Sequence, residues 1–297
     1  MAAEHHCNGA PAGGYTGYMD QTPIDLDGFR RHALRRGVNP LLYWAARALL
    51  LPFFLIYFRL DRIGREHLPR RGPLLLAANH RSFLDPFVIG ALQRRPVYYM
   101  AKRELFEKPW QARILNALGA FPVERGAGDR EAMGAAREIL ARGDCVVIFP
   151  EGTRTRRGPL GEPRRGVGRL ALETGAPVAP VAVIGTERIR TGWLVRPRKV
   201  RLRVGMPLRF PTVDHPSPQL AAGVTRRTWD CVSLQWEWLG GARAARPRRD
   251  DRQAQLERDR SRRSGAHDQP AGETTRQAGT GAQTNTDHDQ RETAQAA

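Results

Sequence analysis

Short apolar runs alternate with stretches of helical periodicity between about residues 59 and 210, and this alternation constrains the fold more than any other feature. The runs PLLLAA (73–78), VYYMA (97–101), CVVIF (145–149) and PVAPVAVI (177–184) each predict a buried strand. Strands that alternate with helices predict an α/β layered domain with a mainly parallel sheet flanked by helices. The loops that follow the strands would then line the carboxyl edge of the sheet, where such folds bind ligands.

A continuous apolar segment precedes this domain. Residues 41–58 (LLYWAARALLLPFFLIYF) contain one charge, Arg47, and one proline, Pro52. The length is at the lower limit for a helix that spans a membrane, and Pro52 would kink such a helix. Flanking arginines and several aromatic residues favour a helix that lies in the headgroup region of a membrane. A spanning helix and a buried core helix are the alternatives.

The chain divides into four parts around these two features. Residues 1–36 are Gly-rich and polar and predict a flexible N-terminal arm, and residues 37–58 contain the apolar helical segment. The folded domain is expected over residues 59–240. Residues 241–297 hold almost no aliphatic or aromatic side chains, so they cannot bury enough apolar surface to fold and predict a disordered polar tail.

The chain has a net charge of +18, and nearly all of its basic residues are arginines. A coding bias toward arginine is one explanation, and an anionic membrane surface, a phosphate-bearing ligand or a nucleic acid are the functional alternatives. No nucleic-acid motif accompanies the arginines, which argues against a nucleic-acid partner. The three cysteines lie far apart, so the sequence predicts neither a disulfide framework nor a zinc site, and it fits a reducing cytoplasmic setting.

A histidine and a carboxylate follow the strand at 73–78, in the sequence NHRSFLD (79–85). His80 and Asp85 are five residues apart and do not share a helix face, but a turn between them would let their side chains meet. Pro86 supports this turn, because it disfavours helical geometry at Asp85 and suits the first residue of the next helix. In a dyad, Asp85 would hold one ring nitrogen of His80 and leave the other free to take a proton from an alcohol. The alternative is that Asp85 caps the next helix and His80 is an ordinary loop residue.

Two further loops place basic residues at the same expected edge of the sheet. The first, FPEGTRTRR (149–157), offers amides, hydroxyls and guanidinium groups, which are the groups that bind a phosphate monoester. The second, GAFPVERG (119–126), puts Arg125 just past another short strand. Taken separately, each loop is better explained as a solvated basic turn.

Together and in this order, the motifs resemble the PlsC-type glycerolipid acyltransferases, the family that includes the 1-acylglycerol-3-phosphate acyltransferases. The resemblance covers roughly residues 60–210. NHRSFLD resembles the family's NHxSxxD box, GAFPVER its second box and FPEGTRTR its third, and the stretch from Pro177 to Pro180 resembles a weaker fourth box. The resemblance implies that residues 59–240 form an acyltransferase domain.

The resemblance also implies the roles of individual residues. His80 would be the catalytic base and Asp85 its partner. The implied substrate-binding residues are Arg125, Glu151, Gly152, Thr153, Arg154 and, through the similarity of AKRELF (101–106), Lys102. No metal and no cofactor is implied, because the acyl group arrives as a thioester of acyl-CoA or acyl carrier protein and a thiolate leaves.

The implied reaction moves this acyl group to the free hydroxyl of 1-acylglycerol 3-phosphate, a lysophosphatidate, and gives phosphatidic acid. The expected location is the cytoplasmic face of the cell membrane, with peripheral or monotopic attachment to the lipid surface. Glycerol 3-phosphate or another lysolipid is the alternative acceptor. A non-catalytic membrane-surface binding protein of the same fold is a further alternative, which the presence of both dyad residues disfavours.

Two departures from the family pattern stand out. Arg165 occupies the position before Gly166 where a lysine is usual, which keeps the charge but not the geometry. After about Val224 the chain no longer resembles the family, and TWDCVSLQWEWLGG (228–241) replaces the expected amphipathic closing helix. This change motivates the hypothesis of a truncated or shifted reading frame.

Overall fold

The computed structural model describes residues 26–35, 37–123, 130–191 and 194–242. Within these ranges the helices are α1 (Leu26–Arg35), α2 (Pro40–Ile56), α3 (Asp85–Gly90), α4 (Pro109–Ala117), α5 (Arg130–Ala141), α6 (Gly166–Thr174) and α7 (Pro218–Trp238). The strands are β1 (Asp61–Ile63), β2 (Leu74–Ala78), β3 (Val97–Lys102), β4 (Ala120–Val123), β5 (Cys145–Ile148), β6 (Val178–Ile184), β7 (Arg190–Thr191), β8 (Leu194–Val195) and β9 (Arg201–Val204).

Seven of the described strands form one sheet in the order β1-β9-β6-β2-β5-β3-β4. All neighbouring pairs run parallel except β6 and β9, which run antiparallel. Strands β7 and β8 form a separate antiparallel pair. Helices cover the main sheet, so the predicted α/β fold with a mainly parallel sheet is confirmed.

The central strand β2 shows why the sheet is buried on both faces. Leu74 and Leu76 enter one apolar core, which also contains residues of α2 and α3. Leu75 and Ala77 enter a second core on the opposite face, against α5, α6 and α7. Because side chains alternate across a strand, helices on both faces require apolar residues at every position, and the five residues of β2 are all buried.

Helix α2 begins at a polar cap and carries apolar residues on all sides. The Asn39 side chain accepts a hydrogen bond from the amide of Leu42 at 3.0 Å, and Pro40 follows as the first helical residue. One face packs on the domain, where Phe54 is buried. The opposite face is exposed, with Leu49 and Ile56 at 75% and 78% exposure.

In the described part of the chain, no single helix is long and apolar enough to cross a membrane. Helices α1 and α2, bent by 89° at their junction, pass a length and composition test only when they are taken together.

Residues 26–35 form helix α1, whereas the sequence predicts a flexible arm over all of residues 1–36. The buried Arg30 donates from Nε to the carbonyl of Pro122 at 3.3 Å. Asn116 donates from Nδ2 to the carbonyl of Phe29 at 2.9 Å. These partners lie about 90 residues along the chain, so the local pattern could not reveal them. Residues 1–25 and 243–297, the predicted arm and tail, lie outside the described residues.

Residues 218–238 form the continuous helix α7, although the departure from the family pattern predicts no closing helix there. Ser217 caps it by accepting from the amide of Leu220 at 3.2 Å. Its buried side against α6 and β6 is the following set: Ala221, Val224, Thr225, Thr228, Trp229, Val232 and Trp236. The closing helix is therefore present, and the folded segment argues against a shifted reading frame.

Helices α6 and α7 meet at a glycine. The amide of Gly168 donates to the hydroxyl of Thr225 at 2.8 Å. A Cβ at Gly168 would lie 2.0 Å from the carbonyl oxygen of Ala221, far inside van der Waals contact. The close approach of the two helices therefore depends on glycine at this position.

We expect Gly168→Ala to lower the free energy of unfolding by about 2–3 kcal/mol, because the added methyl forces the two helices apart. Gly223→Ala is the matched control on α7, where nothing lies within 4 Å of the added Cβ. It should raise the free energy of unfolding by about 0.5–1 kcal/mol. Urea denaturation of the two variants measures both changes. Equal effects of the two substitutions would contradict the close packing of α6 on α7.

Candidate active site

The side chain of Asn79 fixes the point at which β2 ends. Its Oδ1 accepts from the amide of Val183 at 2.7 Å, and its Nδ2 donates to the carbonyl of the same residue at 3.0 Å. The side chain of Asn79 thereby makes one further pair of hydrogen bonds to β6 beyond the backbone pairing of β2. The next residue, His80, is placed at the carboxyl edge of the sheet, as the sequence predicts.

A tight turn from His80 to Asp85 brings the predicted dyad together. Nδ1 of His80 donates to Oδ2 of Asp85 at 2.8 Å. The same oxygen accepts from the backbone amides of Arg81 at 2.6 Å and Ser82 at 2.7 Å. Asp85 is fully buried, and the three donors compensate at Oδ2 for the hydrogen bonds that water would otherwise make. Oδ1 is buried without a hydrogen-bond partner among the described residues. Nε2 is left as the ring nitrogen of His80 that is available to a substrate.

The contacts of Asp85 also decide between the dyad and a helix cap. A cap would accept from amides two or three residues downstream, whereas Asp85 accepts from the amides of Arg81 and Ser82, which precede it. Asp85 itself stands in the first turn of α3, followed by Pro86. The carboxylate therefore closes the turn that carries His80 and does not cap the helix after it.

A second buried carboxylate holds the backbone of the same turn. Oε1 of Glu151 accepts from the amide of His80 at 2.8 Å, and Oε2 accepts from the amide of Gly161 at 3.0 Å. The carbonyl of His80 accepts from the amide of Thr155 at 2.9 Å. The loops after β2 and β5 are thus joined through one carboxylate and one backbone pair. Glu151 supports the turn that carries His80 through both carboxylate oxygens, and its contact with the acceptor stays a prediction.

Arg81 adds a third connection between these loops. Its guanidinium donates to the carbonyls of Thr155 at 2.8 Å and Gly158 at 3.0 Å. The guanidinium carbon also lies 5.1 Å from the ring centre of Trp236 on α7, within the range of a cation–π contact. Burial lowers the pKa of Arg81, while the nearby carboxylates of Glu151, Glu187 and Asp85 oppose that change.

A pocket of about 480 Å³ opens beside His80. The ring of Phe149 stacks on the His80 ring, with 4.0 Å between their centres. The rest of the wall is mostly apolar and comes from α2, α3, β3 and the residues around α4, including Leu50, Leu51, Phe54, Phe83, Phe87, Leu105 and Leu115. Such a volume and lining suit an apolar chain with one polar end.

Four cationic side chains also line this pocket, and one of them, Arg47, comes from α2. Lys102 stands at the end of β3, and Arg154 and Arg164 come from the long loop between β5 and α6. Lys102 forms an ion pair with Glu104. Gly152 adopts a φ of +68°, and a Cβ there would lie 2.8 Å from Nε of Arg164, so glycine is required where Arg164 crosses the loop.

Apart from Glu151, which lies outside the pocket lining, the predicted site residues fall into three groups. His80, Lys102, Gly152 and Arg154 line one pocket, with Asp85 directly behind His80. Thr153 is exposed and lies outside the pocket lining. Arg125 lies outside the described residues.

Arg164 and Arg47 are cationic pocket residues that sequence reasoning missed. The resemblance drew attention to Arg165, next to Arg164, and Arg165 is exposed and outside the pocket lining. The amide of Arg164 donates to the carbonyl of Pro150 at 2.8 Å, and this bond returns the loop to the end of β5. The basic run before α6 indicates a cationic contact. Which of its arginines enters the pocket depends on the closure of this loop.

Comparisons with known proteins give the family of the chain. A sequence model of the acyltransferase family matches residues 59–184. The 1-acyl-sn-glycerol-3-phosphate acyltransferase of Bacillus subtilis (strain 168) is 32% identical over 165 residues, which are 54% of this chain and 80% of that protein. The lyso-ornithine lipid O-acyltransferase of Pseudomonas aeruginosa is 37% identical over 146 residues, which are 48% of this chain and 52% of that protein.

A solved structure supports the same fold. The crystal structure of the 1-acyl-sn-glycerophosphate (LPA) acyltransferase PlsC from Thermotoga maritima matches with a TM-score of 0.51 and 24% identity, over 77% of this chain and 86% of that chain. The similarity to the Bacillus protein exceeds 30% identity over four fifths of its length. The family resemblance in the motifs is thereby confirmed. The chain belongs to the acyltransferase family that includes the 1-acyl-sn-glycerol-3-phosphate acyltransferases, and it is an O-acyltransferase of this type.

Proposed function

We propose that the chain transfers a fatty acyl group from a thioester of CoA or acyl carrier protein to the free hydroxyl of 1-acylglycerol 3-phosphate, giving phosphatidic acid. One observation carries the proposal. His80 is hydrogen-bonded to Asp85 through Nδ1, and it lines a mostly apolar pocket that also contains four cationic side chains. The apolar wall accommodates an acyl chain, the cations accommodate a phosphate, and His80 stands between them.

The chemistry follows from the free nitrogen of the dyad. Nε2 of His80 takes the proton of the acceptor hydroxyl while the hydroxyl oxygen attacks the thioester carbonyl. Asp85 stabilises the imidazolium that forms, because its buried carboxylate is 2.8 Å from Nδ1. The C–S bond then breaks, and the leaving thiolate takes the proton back from His80. The ester and the thiol are the products, and His80 returns to its neutral state.

The charge of the pocket favours a phosphate monoester as the acceptor's headgroup. A monoester carries about −1.5 to −2 charges at neutral pH, which Lys102, Arg154 and Arg164 can match even with Glu104 paired to Lys102. Arginine also binds phosphate oxygens through two parallel donors. An ornithine headgroup carries an amine as well as a carboxylate, so three cations suit it less well. Glycerol 3-phosphate has the phosphate but lacks an acyl chain for the apolar wall.

We further propose that the protein attaches peripherally to the cytoplasmic face of the membrane through the exposed face of α2. Leu41, Leu49 and Ile56 are 83%, 75% and 78% exposed. Exposed apolar residues in one helix mark a contact surface, and an amphipathic acceptor lipid resides in the bilayer. A helix of 17 residues that lies along the interface buries this face without crossing the bilayer.

We expect His80→Ala to lower kcat by about 10²–10⁴-fold, since the general base is removed. The acceptor KM should change little, because the phosphate-binding side chains remain in place. Asp85→Asn should also lower kcat, since a neutral amide does not stabilise the imidazolium that forms on His80. Initial rates with labelled acyl-CoA and lysophosphatidate measure both parameters. An equal loss in kcat and in acceptor affinity for His80→Ala would argue against its role as a base.

Arg154→Ala and Arg164→Ala should each raise the acceptor KM about tenfold, because each removes a charge-assisted hydrogen bond to the phosphate. The donor KM should stay the same. Arg156→Ala is the matched control, since Arg156 is exposed on the same loop and lies outside the pocket lining. Rates are measured with lysophosphatidate, glycerol 3-phosphate and a lyso-ornithine lipid. Faster turnover of the ornithine lipid than of lysophosphatidate would sink the acceptor assignment.

Leu49→Glu combined with Ile56→Glu should release the protein from lipid vesicles. Each substitution should weaken binding roughly tenfold or more, since burying one such side chain is worth about 1.5–3 kcal/mol. Leu234→Glu, on α7 with 64% exposure, is the control for the same chemical change elsewhere. Neither changed residue of α2 lines the pocket, so turnover of detergent-dispersed substrate should persist. Equal vesicle binding of the double variant and the control would exclude α2 as the attachment surface.

A further inference from the structure

Three arginines converge on the C-terminal end of α3. Nη1 of Arg47 donates to the carbonyl of Gly90 at 2.7 Å, and Nη1 of Arg62 donates to that of Ala91 at 2.9 Å. Nε of Arg65 donates to the carbonyl of Leu92 at 2.7 Å. The three donors come from α2, from β1 and from the turn after β1, so distant parts of the chain meet at three successive carbonyls.

Helix capping accounts for only part of this arrangement. The C-terminal end of a helix carries about half a negative charge, and a single cation would satisfy it. Three guanidinium groups bring three positive charges and many more donors than three carbonyls can accept, since each group has five N–H bonds. About two and a half positive charges are therefore left over at this point.

The surroundings of the cluster add positive charge and do not remove it. Burial lowers the pKa of Arg62, and Arg47 and Arg94 lower it further. The pKa of Arg65 is lowered by burial and then by Arg62, Arg94, Arg47 and Arg70. Among the described residues, each group that perturbs these two pKa values is another arginine, and no carboxylate raises either value. An anion is the component that would relieve this repulsion.

We propose that Arg47, Arg62, Arg65 and Arg94 form a second phosphate-binding site at the C-terminal end of α3. Lys102, Arg154 and Arg164 are not part of it, and Arg47 is the member that also lines the pocket beside His80. The ligand is a phosphate ester, because grouped guanidinium forks match phosphate oxygens better than they match a halide or a lone carboxylate. The headgroup of an anionic lipid and a soluble phosphate share this chemistry. Helix α3 extends only six residues from Asp85, so the site lies about 9 Å along that helix from the dyad.

The test compares the full-length protein with two variants and a charge-matched control. Arg62→Gln with Arg65→Gln removes two members of the cluster and two contacts to α3. Arg94→Gln removes one positive charge but leaves all three carbonyl contacts in place. Arg226→Gln with Arg227→Gln removes two exposed charges from α7 and is the control.

In the first arm, flotation measures binding to phosphatidylcholine vesicles with and without phosphatidylglycerol. In the second, the shift in melting temperature caused by inorganic phosphate is compared with that caused by chloride at equal ionic strength. The second arm uses an Arg154→Ala, Arg164→Ala background, which removes both arginines assigned to phosphate binding in the pocket beside His80.

For a lipid headgroup, binding to the phosphatidylglycerol vesicles should fall about fivefold for each arginine removed from the cluster, and the control should change less than the single variant Arg94→Gln. For a soluble phosphate, the thermal shift should disappear in the cluster variants while vesicle binding is unchanged. Equal losses in the control and the cluster variants would overturn the proposal, because net charge would then explain them. Unchanged phosphate and vesicle binding in both cluster variants would also overturn it and leave capping as the sole role.

Discussion

The active site depends on a single residue being held at its backbone and its side chain at once. The amide of His80 is bound by Glu151, its carbonyl by the amide of Thr155, and its ring by Asp85. Hydrogen bonds to charged groups contribute about 1.5–3 kcal/mol each, so the two carboxylates fix this turn more firmly than neutral partners would. Because Glu151 also binds the amide of Gly161, the same carboxylate sets the path of the loop that later provides Arg164.

The proposed catalytic groups and the proposed substrate-binding groups differ sharply in burial. Asp85 and Glu151 are buried, whereas Arg154 and Arg164 are exposed and Lys102 is partly exposed. A general base has to meet a hydroxyl at hydrogen-bonding distance, and buried partners provide that accuracy. A phosphate can be met by long cationic side chains from several directions, although ordering each of them costs rotamer entropy. The site therefore combines a rigid centre with adaptable contacts around it.

Sequence patterns predicted the sheet and the dyad because both depend on neighbours close in the chain. The strands are continuous apolar runs, and the turn from His80 to Asp85 is closed by Asp85 itself. The role of Glu151 could not be predicted, because it depends on the amide of His80, 71 residues away. The same limit applies to α1, whose partners are on β4 and α4.

The sequence prediction failed at α7 for a different reason. Its buried residues Val224, Thr228, Val232 and Trp236 recur every four residues, so helical periodicity was visible in the sequence. The departure of these residues from the family pattern predicts no closing helix, and that prediction is wrong. The buried side includes Trp236, which contacts Arg81, and the helix is therefore part of the support for the catalytic turn.

Helix α2 connects the pocket with the proposed membrane surface. Its residues Tyr43, Ala46, Arg47, Leu50, Leu51 and Phe54 line the pocket at the spacing of one helical face. Leu49 and Ile56, on the exposed side, lie in the same three turns. A helix is about 10–12 Å across with its side chains, so the pocket is separated from the proposed lipid surface by one helix. An acyl chain that leaves the bilayer beside α2 can therefore enter the apolar pocket with little exposure to water, which removes much of the hydrophobic cost of its transfer.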